Sequence, residues 1–224
     1  MTDIRHALIM AAGRGQRMAP LTDVVPKPMA PYRGSTLIAE GIARVARRLP
    51  KIHVTVGYKG AMLAQHVIQL GVASVFNTEG HPNSWWIYNT LLRHLDEPVY
   101  VLTCDNLIDL DFDLLERNYE ELGEPPCMLV PVRPVPGLEG DFIFREGHVV
   151  TAVDRHRATD IYCSGIQILN PARLNRLTED RGDFYSVWSQ LIAERKLYVS
   201  SVYPKTWIAV DTLAALNTLN GTTG

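Results

Sequence analysis

An unbroken apolar run, Ala7 to Ala12, opens the pattern of the chain and gives way at once to Gly13 and Gly15. No charge interrupts it, so it predicts a strand buried on both faces. Ser35 precedes a stretch with helical period that reaches about Leu49, which predicts a helix with Ser35 as its cap. Lys51 to Tyr58 alternates and is rich in β-branched residues, the pattern of a strand. A second helical stretch runs from Gly60 to Leu70 and stops at Gly71, and Ala73 to Asn77 reads as a third strand. Strand, helix, strand, helix, strand is the order of a parallel sheet with helices on its faces.

Asn77 to Ser84 is dense in turn formers and leads into a helix that Ser84 would cap and Trp85 and Trp86 would open. Pro98 to Asp105 is nearly all apolar and predicts a central strand. Asp111 or Asp113 would cap a helix from Leu114 to Leu122. Cys127 to Val132 is another strand. Asp141 to Arg145 and His148 to Val153 flank a Glu146-Gly147 turn, a β-hairpin. Ile161 to Leu169 is a strand, and Asn170-Pro171 is the cap and first position of a helix. An amphipathic helix from Asp183 to Lys196 precedes strands at Leu197 to Tyr203 and Trp207 to Val210. The last helix follows Asp211 and reaches about Asn220, and the Gly221–Gly224 tail is expected to fray.

Composition narrows the classes. With 224 residues, 46% of them apolar, the chain can bury a sizeable core, and no Gly/Ser-rich linker or internal repeat divides it. A single domain over 1–224 is the expectation. The formal net charge of −2 gives no electrostatic footprint for DNA or RNA. Three cysteines, Cys104, Cys127 and Cys163, contain no C-x-x-C pair, which disfavours a disulfide framework or structural zinc. The seven histidines show no metal-ligand spacing and are expected to be solvated or satisfied by hydrogen bonds. The apolar run from Ala7 is too short for a signal peptide core and no stretch approaches a membrane span, so a cytoplasmic protein without membrane contact is expected.

The candidate chemistry lies in 7–31, ALIMAAGRGQRMAPLTDVVPKPMAP. Glycines directly behind a buried strand let backbone N–H groups approach phosphate oxygens. Arg17 follows two residues later. Lys27 sits between Pro26 and Pro28, which stiffen the loop and should keep it out of any helix. A backbone cradle with two cations suits a triphosphate. The third glycine of a dinucleotide fingerprint is missing near Met18, and the Gly-Lys-Ser/Thr of a P-loop is absent. Gly57-Tyr58-Lys59 lacks the acidic residue that would hold a dinucleotide ribose. Further on, Asp105 ends a central strand, with Asp109, Asp111 and Asp113 behind it, and this suggests a divalent cation site. Asp211, at the end of the short strand from Trp207, reads from its position as a helix cap, and a carboxylate can cap a helix and face a metal at once.

Leu8 to Met29 resembles the signature of the nucleotidylyltransferases that activate sugar 1-phosphates and small phospho-alcohols. AAGRGQRM, APLT and PKPM stand in the family's order, with Gln16 where the family has Ser or Thr. The resemblance is nearest to the phosphocholine cytidylyltransferase branch, through the VGY strand, the FN strand end and the aromatic Ile-Tyr helix. It implies a Rossmann-like, three-layer α/β/α nucleotide-diphospho-sugar transferase fold with a mixed, mostly parallel central sheet. About 1–110 would be the NTP-binding half and about 111–224 the acceptor-binding half. The resemblance implies nucleotide binding by Leu8, Ala11, Ala12, Gly13, Gly15, Gln16, Asn83 and Ser84. Lys27 and Arg17 would be the catalytic cations, and Asp105 and Asp211 would hold Mg²⁺ between donor and acceptor. The partners implied are an NTP, with CTP favoured, and a small phosphorylated acceptor.

The reaction so implied is attack of an acceptor phosphate on the α-phosphorus of the NTP, with release of pyrophosphate. A phosphate monoester has a second pKa of about 6 and is already ionised at neutral pH, so no general base is needed. In the phosphocholine branch an aromatic box holds the quaternary ammonium, and Tyr162, Tyr185, Trp188 and Trp207 are the candidates for it here. Asp141 stands where that branch carries a tryptophan, and its carboxylate would suit a primary amine such as phosphoethanolamine or an aminophosphonate. A sugar 1-phosphate with UTP or dTTP is the alternative within the class. A non-catalytic nucleotide-binding regulatory module is the alternative outside it.

Overall fold

In a computed structural model the described residues are 3–136 and 140–221. Along the chain run β1 (His6–Met10), α1 (Leu21–Val24), β2 (Pro31–Tyr32), β3 (Ser35–Thr36), α2 (Leu37–Val45), β4 (Lys51–Val56), α3 (Gly60–Gln69) and β5 (Ser74–Asn77). Then come α4 (Trp85–Asn89), β6 (Val99–Thr103), β7 (Asn106–Asp109), α5 (Phe112–Glu121), β8 (Cys127–Val132), β9 (Phe142–Glu146), β10 (Val149–Asp154) and β11 (Tyr162–Leu169). The chain closes with α6 (Pro171–Leu177), α7 (Phe184–Ala193), β12 (Leu197–Val199), β13 (Thr206–Ala209) and α8 (Leu213–Asn220). Residues 222–224 of the predicted tail lie outside the described residues. The chain groups into two compact units. One comprises Arg5–His81, Leu102–Leu107 and 208–221; the other comprises 3–4, Pro82–Val101 and the described residues of Ile108–Trp207.

In the first unit β5, β4 and β1 pair in parallel, with Leu8 opposite His53 and Val54 opposite Val75. Ala7 and Leu8 are fully buried, as an unbroken apolar run requires. Beyond the strand ends the pairing continues into the glycine loop, where Tyr58 N–H donates to the Ala12 carbonyl at 3.0 Å. Gly57 makes that approach possible, because a Cβ there would lie 2.7 Å from the Ala12 oxygen. A satellite core of Met18, Ala30, Tyr32, Leu37, Leu107, Val210 and Leu216 anchors the 16–32 segment to β7 and α8. The cap of α2 is Thr36, whose Oγ1 accepts from Ala39 N–H; Ser35 lies in the short β3 instead. The helix is correspondingly shorter than the sequence suggested, ending at Val45.

Two buried histidines join β1 to β4. His6 Nδ1 lies 2.9 Å from His53 Nε2, and the rings stack with centroids 5.2 Å apart. Lys51 Nζ, a donor only, lies 3.4 Å from His6 Nε2, so the proton order runs Lys51 to His6 to His53 to Ser74 Oγ. The expectation of histidines satisfied by hydrogen bonds holds here. Burial, with the neighbouring His6 and Lys51 adding to it, pushes the His53 pKa down from 6.5 to about 4. The unfolded chain therefore binds a proton that the folded one refuses between those values. Stability is fully present above pH 6.5 and is lost as pH falls toward 4, by about 3 kcal/mol from this group. Urea unfolding at pH 7.5 and 4.5 checks this: His53→Gln is expected to show a much smaller drop in midpoint between the two than the parent protein.

In the second unit the strand order is β6–β11–β8–β12–β10–β9. The pairings with β11 and β10 are antiparallel, while β8 and β12 are parallel. It follows that β6, β8, β12 and β9 run one way and β11 and β10 the other. The strands of the first unit are thus all parallel and those of the second are mixed, four running one way and two the other, which fits the mixed, mostly parallel sheet expected from the sequence. Every residue of β8 is buried, and the β9–β10 hairpin turns at Gly147 as expected. Asp111, Asn170 and Asp183 cap α5, α6 and α7. The strand expected over Leu197 to Tyr203 stops at Val199. Ser200 Oγ donates to Asn118 and accepts from Val202 N–H, a side-chain turn that competes with the ladder. Among the described residues no helix is long and apolar enough to cross a membrane.

Candidate active site

The glycine loop turns sharply at Gly15, whose φ is 65°. Gln16–Met18 then forms a 3₁₀ turn that carries Arg17 outward, while Met18 is drawn into the satellite core. Lys27–Met29 is a second 3₁₀ turn, so the prolines do not exclude helix as expected. Pro28 occupies an early position where its missing N–H costs nothing. Gly15 and Lys27 are packed face to face: a Cβ on Gly15 would lie 2.6 Å from Lys27 Cβ and 2.9 Å from its Cδ. The lysine stem is thus threaded against bare backbone, and only its ammonium remains to find a partner.

That partner is a pair of carboxylates. Lys27 Nζ donates to Asp105 Oδ2 and to Asp211 Oδ1, each at 2.7 Å. Arg17 Nη2 lies 3.3 Å from the same Asp211 oxygen. Burial alone would lower the Lys27 pKa, but attraction to Asp105 and hydrogen bonds to both carboxylates outweigh it and hold the pKa above the ordinary value. The ammonium stays charged. Asp105 and Asp211 are brought together by backbone, Val210 N–H donating to the Asp105 carbonyl at 2.8 Å. The cap of α8 is Thr212, whose Oγ1 accepts from Ala215 N–H. Asp211 does not provide the side-chain cap, and one oxygen of its carboxylate, Oδ1, meets both cations. The pKa of the neighbouring Cys104 thiol is pushed up by burial and by Asp105, so it stays protonated.

The two aspartate oxygens meet the same ammonium proton donors, so they lie within twice 2.7 Å of each other. Carboxylate oxygens converging in this way match the hard, oxygen-rich set that Mg²⁺ takes. Among the described residues no group of three or more His, Cys, Asp or Glu forms a metal cage. Two carboxylates fit an ion that completes its shell with phosphates and water.

The other expected nucleotide contacts divide. Gly13 and Gln16 are exposed, and a Cβ at Gly13 would meet no protein atom within 4 Å. Ala12 is partly exposed beside them. Leu8 and Ala11 are buried, Leu8 in the middle of β1 and Ala11 with its N–H on Thr55. In the second unit Ser84 is fully buried and its hydroxyl donates to the Gly182 carbonyl, so it is not the side-chain cap of α4 that the sequence suggested. Asn83 Oδ1 accepts from Phe184 N–H at 3.0 Å. The pair ties the turn-rich loop to the start of α7.

The four expected aromatics form two pairs. Tyr162 packs edge-on to Trp207, centroids 6.3 Å apart, and Tyr185 packs on Trp188 at 5.6 Å. Tyr162 is buried and its hydroxyl accepts from Val135 N–H; Trp188 is buried with its Nε1–H on Gln167. Trp207 Nε1–H donates to the Ser164 carbonyl. Asp141 is not open. Arg155 Nε donates to Asp141 Oδ1 at 2.8 Å and to Tyr185 OH at 3.2 Å, and the Tyr185 hydroxyl donates to the same carboxylate. Bonding to Asp141 raises the pKa of Arg155 still further, and burial with the Asp141 bond raises that of Tyr185. Sequence reasoning missed Arg155, because its partners are 14 and 30 residues away and no motif marks it.

The model of the MobA-like NTP transferase domain matches residues 7–182. A mannose-1-phosphate guanyltransferase beta-B from Xenopus laevis is 26% identical over 184 residues, 76% of this chain and 51% of that protein. The catalytic beta subunit of the Dictyostelium discoideum mannose-1-phosphate guanylyltransferase is 27% identical over 187 residues, again 76% of this chain and 51% of its own length. The chain thus spans about half the length of the curated relatives it matches. Among solved structures, the inositol-1-phosphate CTP transferase from T. maritima superposes with a TM-score of 0.78 at 15% identity, over 98% of this chain and 96% of that one. The CTP:phosphocholine cytidylyltransferase from Streptococcus pneumoniae does so with a TM-score of 0.74 at 20% identity, over 96% and 97%. These likenesses establish the nucleotide-diphospho-sugar transferase fold. The family match over most of the chain shows that this chain belongs to the MobA-like NTP transferase family.

Proposed function

We propose that this chain is a Mg²⁺-dependent nucleotidylyltransferase that joins an NTP, CTP favoured, to a small phosphorylated acceptor and releases pyrophosphate. The observation that carries the reading is the charged Lys27 ammonium held 2.7 Å from both Asp105 and Asp211, with Arg17 on the second of them. An acceptor phosphate oxygen forms the new bond to the α-phosphorus, and the bond to the β-phosphate oxygen breaks. Both reactants are anions, so the main obstacle is repulsion, not proton removal. Lys27 serves the α-phosphate, where charge develops in the transition state. Arg17, 68% exposed at its side chain, is free enough to reach the β- and γ-phosphates of the leaving group. The backbone at exposed Gly13 and half-buried Gly15 supplies N–H donors. Asp105 and Asp211 would hold Mg²⁺, which supplies charge neutralisation on the phosphates.

A second reading keeps the reaction and changes the acceptor to a sugar 1-phosphate. It is favoured by the pairing of Asp141 with Arg155 and by the sugar-1-phosphate names of the curated relatives. Pyrophosphate release with Mg²⁺ tests both, in a matrix of four NTPs against phosphocholine, phosphoethanolamine, 2-aminoethylphosphonate and several sugar 1-phosphates. Release with CTP and an amine-bearing acceptor is the result expected of the first reading. Release confined to sugar 1-phosphates selects the second. Nucleotide binding without release from any pair overturns both and leaves a regulatory module.

A further inference from the structure

Resting on the second reading, a sugar 1-phosphate acceptor held near Asp141 and Tyr185, we infer that Arg155 and Arg157 make this region a receptor for an oxyanion, a carboxylate or second phosphate on the acceptor, and not for an ammonium group. A carboxylate beside an aromatic ring is the seat a cationic acceptor would need. Here the protein fills it with its own cation. The Arg155 guanidinium lies over the Tyr185 ring, 5.0 Å from its centroid, with Nε on Asp141. Arg157 repeats the construction two residues on. Its Nε donates to Asp154 Oδ2 at 3.0 Å and its guanidinium lies 4.2 Å from the Phe144 centroid. Asp154 is itself fixed by the backbone N–H groups of His156 and Arg157.

Each guanidinium is therefore clamped at Nε and on one face. No terminal amino group of either donates to a described residue, and both side chains are about two-thirds exposed. What remains is a planar edge of donors in the geometry that meets two oxygens at once. Such an edge has no acceptor, so an ammonium group finds no partner on it. Asp141 and Asp154 offset the two positive charges, so recognition rests on directed hydrogen bonds, not on net charge.

The test compares galacturonate 1-phosphate, galactose 1-phosphate and phosphocholine by titration calorimetry and by KM in pyrophosphate release. The parent protein is expected to bind the uronate at least tenfold more tightly than the neutral sugar, and phosphocholine most weakly. Arg155→Met and Arg157→Met are each expected to shrink the advantage of the uronate over galactose 1-phosphate severalfold while leaving nucleotide affinity unchanged. Phosphocholine binding as tightly as the uronate, equal binding of the two sugars, or a uronate advantage intact in both variants would overturn the inference. The binding order with no turnover of any acceptor removes the transferase reading and keeps the oxyanion site. Turnover without the order does the reverse.

Discussion

Lys27→Ala is expected to lower kcat/KM for pyrophosphate release a hundredfold or more while leaving a folded protein. The ammonium is a charge aimed at the point where negative charge develops, and losing one such group costs roughly 3–4 kcal/mol of transition-state stabilisation. The structural cost is smaller. The lysine side chain is 9% exposed, but Asp105 and Asp211 are 30% and 20% exposed at theirs, so water can solvate the freed carboxylates. A loss of about 1–2 kcal/mol of stability is expected. Lys27→Arg separates charge from geometry. The guanidinium keeps the charge and can pair with the carboxylates, but it is a planar fork and cannot place its charge at the single point that the ammonium holds 2.7 Å from both. It should restore thermal stability and little activity. Turnover near the parent level in Lys27→Ala would sink the assignment of Lys27.

Gly15→Ala is expected to cost about ten- to a hundredfold in kcat/KM, and the contrast with Gly13→Ala carries the argument. At Gly15 the backbone is in the left-handed region, which alone costs an alanine about 1 kcal/mol. The new methyl would stand 2.6 Å from Lys27 Cβ, so the lysine must move by about an ångström, a displacement that can cost around a hundredfold at a reacting centre. At Gly13 a methyl meets no protein atom and the backbone is unstrained. Gly13→Ala should therefore keep its melting temperature, and a raised KM for the nucleotide would then report on a phosphate close to that backbone. Calorimetry and steady-state kinetics on the two variants read this out. Unchanged kinetics in both would remove the glycine loop from the site.

Much of the fold was legible because it rests on local rules. β1, β4, β5, β8 and the β9–β10 hairpin follow from runs and alternation, and the caps at Asp111, Asn170 and Asp183 follow from side chains that satisfy helix N–H groups a few residues on. The cap assignments failed, or were decided against one alternative, where a side chain had two possible partners. Thr36 took the cap from its neighbour Ser35, Ser84 bonded to Gly182 nearly a hundred residues away, and Thr212 capped α8 in place of Asp211. Each choice turns on which partner the folded chain brings near, which no window of sequence contains.

The same division holds at the candidate site. By itself the sequence determined that a buried strand runs into a glycine loop, that an arginine and a proline-flanked lysine follow at set intervals, and that an aspartate ends a central strand. These are covalent facts about spacing and chain stiffness. Only the tertiary structure decided that Lys27, Asp105 and Asp211, up to 184 residues apart, share one ammonium, and that Asp141 is already claimed by Arg155. The reason is physical. A charge leaving water must find its opposite within a few ångströms, and which opposite it finds is set by how strands and loops pack, not by how far apart the residues stand along the chain.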